Sequence, residues 1–398
     1  MTTDLASLWP LDPDVTFLNH GSFGACPTEV LRYQSALREE LEAEPVRFLS
    51  REISDRLDAA RGALAAFVGT DADGLVFVPN ATTGVNAVLR SLAFAPDDEL
   101  LVTDHAYKAC ANALEFVASR AGARVVVAGV PFPPTSPDAV VAAVMSRVTP
   151  RTRIALLDHV TSPTALVFPI ERLVTELTAR GVETMVDGAH APGMLALNVR
   201  ALGATYYAGN CHKWICSPKG AGFLYVTEKR RGDVRPTTIS HGATATYPGR
   251  TRFLLEFDWA GTGDPTAYLA VPKALEYIGS LLPGGWPAVM ERNRALALDA
   301  RRLLCATLGV PAPCPDEMIG SLASVPLPDG QTTDIGWRRP DPIQTRLYEG
   351  WGFEVPVHSW PRPPKRMVRI SAQLFNRRED YARLAEALTK CLEAERAW

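Results

Sequence analysis

The side chains in this sequence best suited to chemistry fall at or just beyond the ends of short apolar runs. Lys213 follows "ATYYAG" in "YYAGNCHKW", Asp187 closes "VETMVDG", and His190 comes three residues later in "DGAHAPG". Asn80 and Thr82 end "LVFVPNATTG" in the same way. A lysine emerging from an apolar strand is desolvated, which disfavours the ammonium and lowers its pKa, as a nearby cation also does. The neutral amine is then a nucleophile for Schiff-base formation. The neighbouring Cys211-His212 pair does not spell a metal site, because adjacent side chains of an extended segment face opposite ways and no third ligand is spaced to join them.

The elements that must position these residues can be read from the alternation of two patterns. Seven short β-rich runs, "GLVFVP", "DELLVTD", "RVVVAG", "RIALLDHV", "VETMVDG", "ATYYAG" and "AGFLYV", are bounded mostly by Gly, Pro, Asp or Asn. Between them lie stretches such as "VNAVLRSLAF", "CANALEFVASRAG", "PDAVVAAVMSRV" and "IERLVTELTARG", whose apolar residues recur at three and four. This predicts an α/β fold with a largely parallel sheet of about seven strands, in which ligands collect at the carboxyl ends of the strands. An amphipathic helix from about Pro27 to Glu44 precedes the alternation. From about Trp286 a long helix, a Pro-rich stretch and an amphipathic C-terminal helix predict a second, smaller α+β domain. The expected divisions are an N-terminal segment over 1–45 that packs with the small domain, a large domain over 46–285 and a small domain over 286–398.

Composition narrows the partners. With 398 residues, 47% of them hydrophobic, the chain can bury a large core. A formal charge of −3 and the lack of any Lys/Arg run interleaved with aromatics leave no electrostatic footprint for nucleic acid, so a small polar substrate is expected. No uncharged apolar stretch reaches spanning length, and "MTTDLASLWPLDPDV" lacks the apolar core of a signal peptide; a soluble cytoplasmic protein is expected. Seven scattered cysteines without Cys-x-x-Cys spacing predict reduced thiols rather than a disulfide framework.

A pyridoxal phosphate (PLP) site needs a reactive lysine, an acid that holds the pyridinium proton and a phosphate cradle. The motifs "FLNHGSFGACP", "PVRFLSRE", "NATTGVNAV", "TDHAYKA", "HVTSPTALVFP", "VDGAHAPGM", "AGNCHKW", "WAGTGDP" and "VRISAQLFN" occur in one order along nearly the whole chain. Together they resemble the class V aminotransferase family, PLP fold type I, and most closely its isopenicillin N epimerase-like branch. The resemblance implies that Lys213 links to the cofactor and carries the α-proton, that Asp187 pairs with the pyridine nitrogen, and that His190 approaches the ring hydroxyl, near Ser162. It implies Tyr107 stacked on the ring, with His105 as a substitute. Ala81, Thr82 and Thr83, at the amino end of a helix beginning near Gly84, would cradle the phosphate together with Asn210 and His212. Thr262, beside Gly261, would reach the phosphate of a neighbouring subunit in a homodimer. Arg369 would clamp the substrate carboxylate, with Asn19 and His20 also at the substrate.

Reaction type is less constrained than cofactor. Epimerisation normally needs a second acid/base opposite Lys213, for which Tyr107, His105, His241 and His358 are candidates. Elimination of a thiol or sulfenate from a cysteine conjugate needs only Lys213. Cysteine desulfurases carry a persulfide-forming cysteine upstream of the carboxylate arginine, whereas "GWGFEVPVHSWPRPPKRMVRI" has none, which disfavours desulfuration. The Trp/Pro-rich part of that stretch predicts an apolar lip for a bulky substrate side chain. The expectation is β-elimination or epimerisation of an elaborated, cysteine-derived L-amino acid in specialised metabolism. Decarboxylation with or without oxidation, transamination, and a non-catalytic binding protein stand as alternatives.

Overall fold

The computed structural model describes residues 5–331 and 340–396. Seven strands form one sheet in the order Leu75–Val78, Gly222–Val226, Tyr206–Asn210, Glu183–Gly188, Thr152–Asp158, Glu99–Thr103, Arg124–Ala128. Six run in one direction, and Gly222–Val226 is antiparallel to both neighbours. Each of the seven β-rich runs supplies one strand.

The continuous apolar character of these runs follows from cover on both faces. In Thr152–Asp158, Ile154 and Leu156 join Val85, Val88 and Leu114 of helices Ala81–Ser91 and Lys108–Ala121. Ala155 and Leu157 join Val140 and Leu173 of helices Pro137–Met145 and Ile170–Ala179 on the opposite face. The edge strand Arg124–Ala128 has exposed positions, as an edge requires. Asn80 sets the start of the first of these helices. Its side chain accepts from the Thr83 N–H, so the helix begins at Ala81 rather than near Gly84.

The C-terminal part holds a three-stranded antiparallel sheet in the order Val357–Ser359, Arg366–Ser371, Leu322–Leu327. Helix Gly285–Leu308 packs on this sheet and on helix Arg378–Arg396. Buried Arg366 bonds Asp341 and Glu395, tying the sheet to the C-terminal helix. The N-terminal segment divides its contacts: Thr16–Phe17 pairs in parallel with Phe353–Glu354, whereas helix Thr28–Ala43 packs against Thr266–Leu269 and Val271–Ser280. All seven cysteines are free and buried. No helix among the described residues is long and apolar enough to cross a membrane.

Gly188 ends the strand that carries Asp187, and a Cβ there would lie 2.3 Å from the Tyr207 ring. Tyr207 has little room to yield, because its hydroxyl pairs with His159 Nδ1 at 3.0 Å and its ring stacks on Phe223. Gly188→Ala should therefore destabilise the fold by about 1–3 kcal/mol through overpacking. Thermal unfolding would read this as a lowered Tm, and an unchanged Tm would show that Tyr207 moves aside freely.

Candidate active site

The strand ends converge as the fold requires. Register places Asp158 beside Asp187 and Asp187 beside Ala208, so the acids of two central strands and the segment leading to Lys213 meet at the carboxyl ends of the strands. They open into a cavity of about 450 Å³. Ala81, Thr82, Thr83, Tyr107, Ser162, Asp187, His190, Asn210, His212 and Lys213 line it, together with Ser22, Asn80 and Asp158. Cys211 lies in the core while adjacent His212 lines the cavity, so the two point apart.

Lys213 Nζ donates to His190 Nε2 at 3.2 Å. Burial lowers the Lys213 pKa to about 8, against the attraction of Asp187 and with the help of the Arg369 charge. The His190 ring is held neutral by burial, and its Nδ1 has no hydrogen-bond partner among the described residues. Asp187 is fixed at both oxygens: Oδ1 accepts from the Ala189 N–H at 3.0 Å and Oδ2 accepts from the Cys110 thiol at 3.1 Å. Asp158 Oδ1 accepts from the Tyr107 N–H at 3.2 Å. Burial and then the Asp187 charge push the Asp158 carboxyl well above the usual range.

The amino end of helix Ala81–Ser91 forms the other wall. Ala81 N–H donates to Asn210 Oδ1 at 2.8 Å and Thr83 N–H to Asn80 Oδ1, whereas the described residues give the Thr82 N–H no acceptor. A helix amino end with a free N–H attracts anions. His212 Nδ1 donates to the Ala221 carbonyl at 2.8 Å, and burial lowers the ring pKa to about 4. An anion at this wall would favour the protonated ring, whose Nε2 could then donate to it.

Arg369 stands directly behind Ser22 and Ser162, at 2% exposure. Its Nη1 donates to the Ser162 carbonyl at 2.7 Å and Oγ at 3.1 Å; its Nη2 donates to Ser22 Oγ at 3.0 Å and Asn19 Oδ1 at 3.4 Å. Every one of these acceptors is neutral. Asn19 is held in turn by donating to Glu354 at 2.9 Å.

Several expected site residues lie elsewhere. His20 is buried, with both ring nitrogens bonded to backbone groups, and does not line the cavity. His105 bonds Thr164 Oγ1 and the Val130 carbonyl and packs on Trp360 and Phe132, which removes it as a ring-stacking or proton-transfer group. His241 is exposed on a short turn, and His358 is largely buried with its pKa lowered to about 3 by burial and the Arg369 charge; neither lines the cavity. The "VPVHSWPRPPK" stretch does not line it either, because Trp360 is turned onto the His105–Phe132 cluster. Thr262 is exposed outside this chain's cavity. Tyr107 lines the cavity at 45% exposure. Asp158, Cys110 and Ser22 went unpredicted. Only Asp158 carried a local signal, an acid closing the apolar run "RIALLD".

These residues fit PLP: an amine of lowered pKa, a fixed carboxylate on the floor, an orphaned His190 nitrogen and a helix amino end with a free N–H surround one cavity. The Lys213 amine should accordingly react with aldehydes as a group titrating near pH 8, its rate rising with pH through that value as the neutral amine forms. Stopped-flow binding of pyridoxal phosphate to the cofactor-free chain measures this. A midpoint in the ordinary lysine range near ~10.4 would contradict it.

The aminotransferase class-V family profile matches residues 25–384. Isopenicillin N epimerase of Streptomyces clavuligerus is 35% identical over 390 residues, covering 95% of each chain. A probable chloroplastic L-cysteine desulfhydrase of Arabidopsis thaliana is 30% identical over 400 residues, covering 95% of this chain and 83% of that one. Among solved structures, a variant of C-DES with glycine covalently linked to its PLP cofactor superposes with a TM-score of 0.79 at 22% identity, over 96% of this chain and 98% of that chain. The chain belongs to the aminotransferase class-V family and is a PLP-dependent enzyme of lyase or isomerase type.

Proposed function

We propose that the enzyme cleaves a carbon–sulfur bond by β-elimination from an elaborated, cysteine-derived L-amino acid. The observation that carries this reading is the supply of proton carriers. Of the five candidates only Lys213 and Tyr107 reach the cavity, and burial raises the Tyr107 pKa, which leaves Lys213 as the one base among them. Elimination needs one base.

PLP, when bound, supplies the electron sink that acidifies the α-proton. Asp187, held at both oxygens, keeps the ring nitrogen protonated. Thr82 N–H, Asn210 and His212 would hold the phosphate, with Tyr107 lining the same cavity beside the ring. Arg369 holds the substrate carboxylate, which exchanges the neutral acceptors of the guanidinium for an anion. With the carboxylate fixed, the Cα–H bond can face Lys213, which disfavours loss of carbon dioxide. Lys213 takes the α-proton, the Cβ–S bond breaks with its electron pair going to sulfur, and water releases the remaining fragment as pyruvate and ammonia. The relatives named L-cysteine desulfhydrase support this chemistry. Gly261–Thr262, exposed in one chain, is available to a second copy, and a homodimer with shared sites completes the reading.

Epimerisation is the second reading. It is favoured by the Tyr107 phenol, which opens into the same cavity, and by the epimerase relative. A proton returned to the other face of Cα would then come from that phenol.

The holoenzyme incubated in deuterium oxide with cysteine S-conjugates should exchange the α-proton and release thiol, pyruvate and ammonia in equal amounts. Inversion without pyruvate would replace elimination by epimerisation, and carbon dioxide release without α-exchange would overturn both. In the same assay Arg369→Ala should lose about 2–5 kcal/mol in kcat/KM, the cost of a buried carboxylate partner, with the visible spectrum intact.

A further inference from the structure

We infer that His20 is a positioning residue for Lys213: its Nε2–H anchors the Lys213 backbone carbonyl and ties it to the strand that carries Arg369. The inference rests on Lys213 as the α-proton carrier.

A lysine side chain is long and flexible, so the placing of its amine begins with its backbone. The Lys213 carbonyl accepts two hydrogen bonds, from the Cys216 N–H at 3.0 Å and from His20 Nε2 at 3.0 Å. The tautomer follows from the other nitrogen. Ala25 N–H donates to His20 Nδ1 at 3.2 Å, so Nδ1 carries the lone pair and Nε2 the proton. Burial pushes the ring pKa down to about 3, so this donor persists at every working pH and the ring carries no proton to substrate.

The anchor joins three segments. His20 N–H donates to Ser371 Oγ at 2.7 Å, two residues beyond Arg369 on strand Arg366–Ser371. The Gln373 side-chain oxygen is occupied by Asn293 and the Leu374 N–H, which turns its amide nitrogen to Cys216 Sγ at 3.5 Å. Trp214 and Phe375 pack on the imidazole, with ring centroids 4.9 and 5.7 Å away.

Two backbone features mark how tightly the Lys213 turn is shaped and packed against the N-terminal segment. Cys216 adopts φ +60, a conformation sparsely used by non-glycine residues. Gly24 (φ +74) brings the N-terminal segment so close that a Cβ there would lie 2.0 Å from the His212 carbonyl oxygen.

Three substitutions separate anchoring from other roles. In His20→Gln an amide N–H can stand in for Nε2–H; in His20→Asn an acceptor remains for Ala25 N–H but the donor to Lys213 is lost; His20→Ala removes both. The holoenzymes are compared by the pH midpoint of the visible cofactor band, by α-proton exchange in deuterium oxide, and by Tm. His20→Asn and His20→Ala should keep the band, shift its midpoint and slow exchange by ~10- to 100-fold, the scale of a small misplacement of a reacting group. His20→Gln should restore both at the Tm of His20→Asn. Wild-type midpoint and exchange in His20→Asn, or a His20→Gln as impaired as His20→Asn, would overturn the inference, as would loss of one limb of the pH profile in His20→Asn. If the wild-type enzyme exchanges no α-proton, the reading of Lys213 fails, and the band midpoints of the Asn and Gln variants still decide whether His20 positions it.

Discussion

A buried guanidinium with only neutral acceptors around it constrains the chemistry of the whole site. Taking a charge out of water costs several kcal/mol unless it is well paired. Arg369 is offered two hydroxyls, one carbonyl and one amide oxygen instead of a carboxylate. Burial lowers its pKa to about 10, so it remains charged at neutral pH. Its field helps lower the pKa of Lys213 and His190, leaving the imidazole neutral and the amine easier to deprotonate than an ordinary lysine. An arriving carboxylate would cancel part of that field. The proton affinity of Lys213 would then rise when a substrate is in place to donate its α-proton.

The floor of the cavity follows a similar electrostatic rule. Two carboxyls on neighbouring strands cannot both ionise cheaply away from water. Asp158 and Asp187 face each other across the register, and burial with the Asp187 charge raises the Asp158 pKa well above its usual range. The Cys110 thiol, likewise raised, remains a donor to Asp187. The proton is therefore favoured on Asp158, while Asp187, fixed at both oxygens, lies where a pyridinium nitrogen would be held. Asp158 keeps a second task, fixing the backbone that presents Tyr107.

Much of this was legible in the sequence, for a physical reason. Strands buried on both faces are continuous apolar runs, and an α/β sheet places ligands at their carboxyl ends, so Lys213, Asp187, His190, Asn80 and Thr82 stood out by position. The start of helix Ala81–Ser91, expected near Gly84, lies three residues earlier because the Asn80 side chain caps it. What escaped depends on contacts between distant segments. The pairing of Asp158 with Asp187 is a matter of register, and the Cys110 contact crosses 77 residues. His20 and His105 carry ring types suited to proton transfer, and only their burial and fixed partners show that both ring nitrogens are committed elsewhere. The Trp360 stretch looked like a pocket wall because its composition is apolar, yet that surface is spent on packing against His105 and Phe132.

A crystal structure of the PLP-loaded enzyme with a bound, slowly reacting cysteine S-conjugate bears most directly on the role of Arg369. The substrate carboxylate should lie on the Arg369 guanidinium between Ser22 and Ser162, with the Cα–H bond turned to the Lys213 amine. A structure in which Arg369 retains its neutral acceptors while the carboxylate binds elsewhere would contradict it.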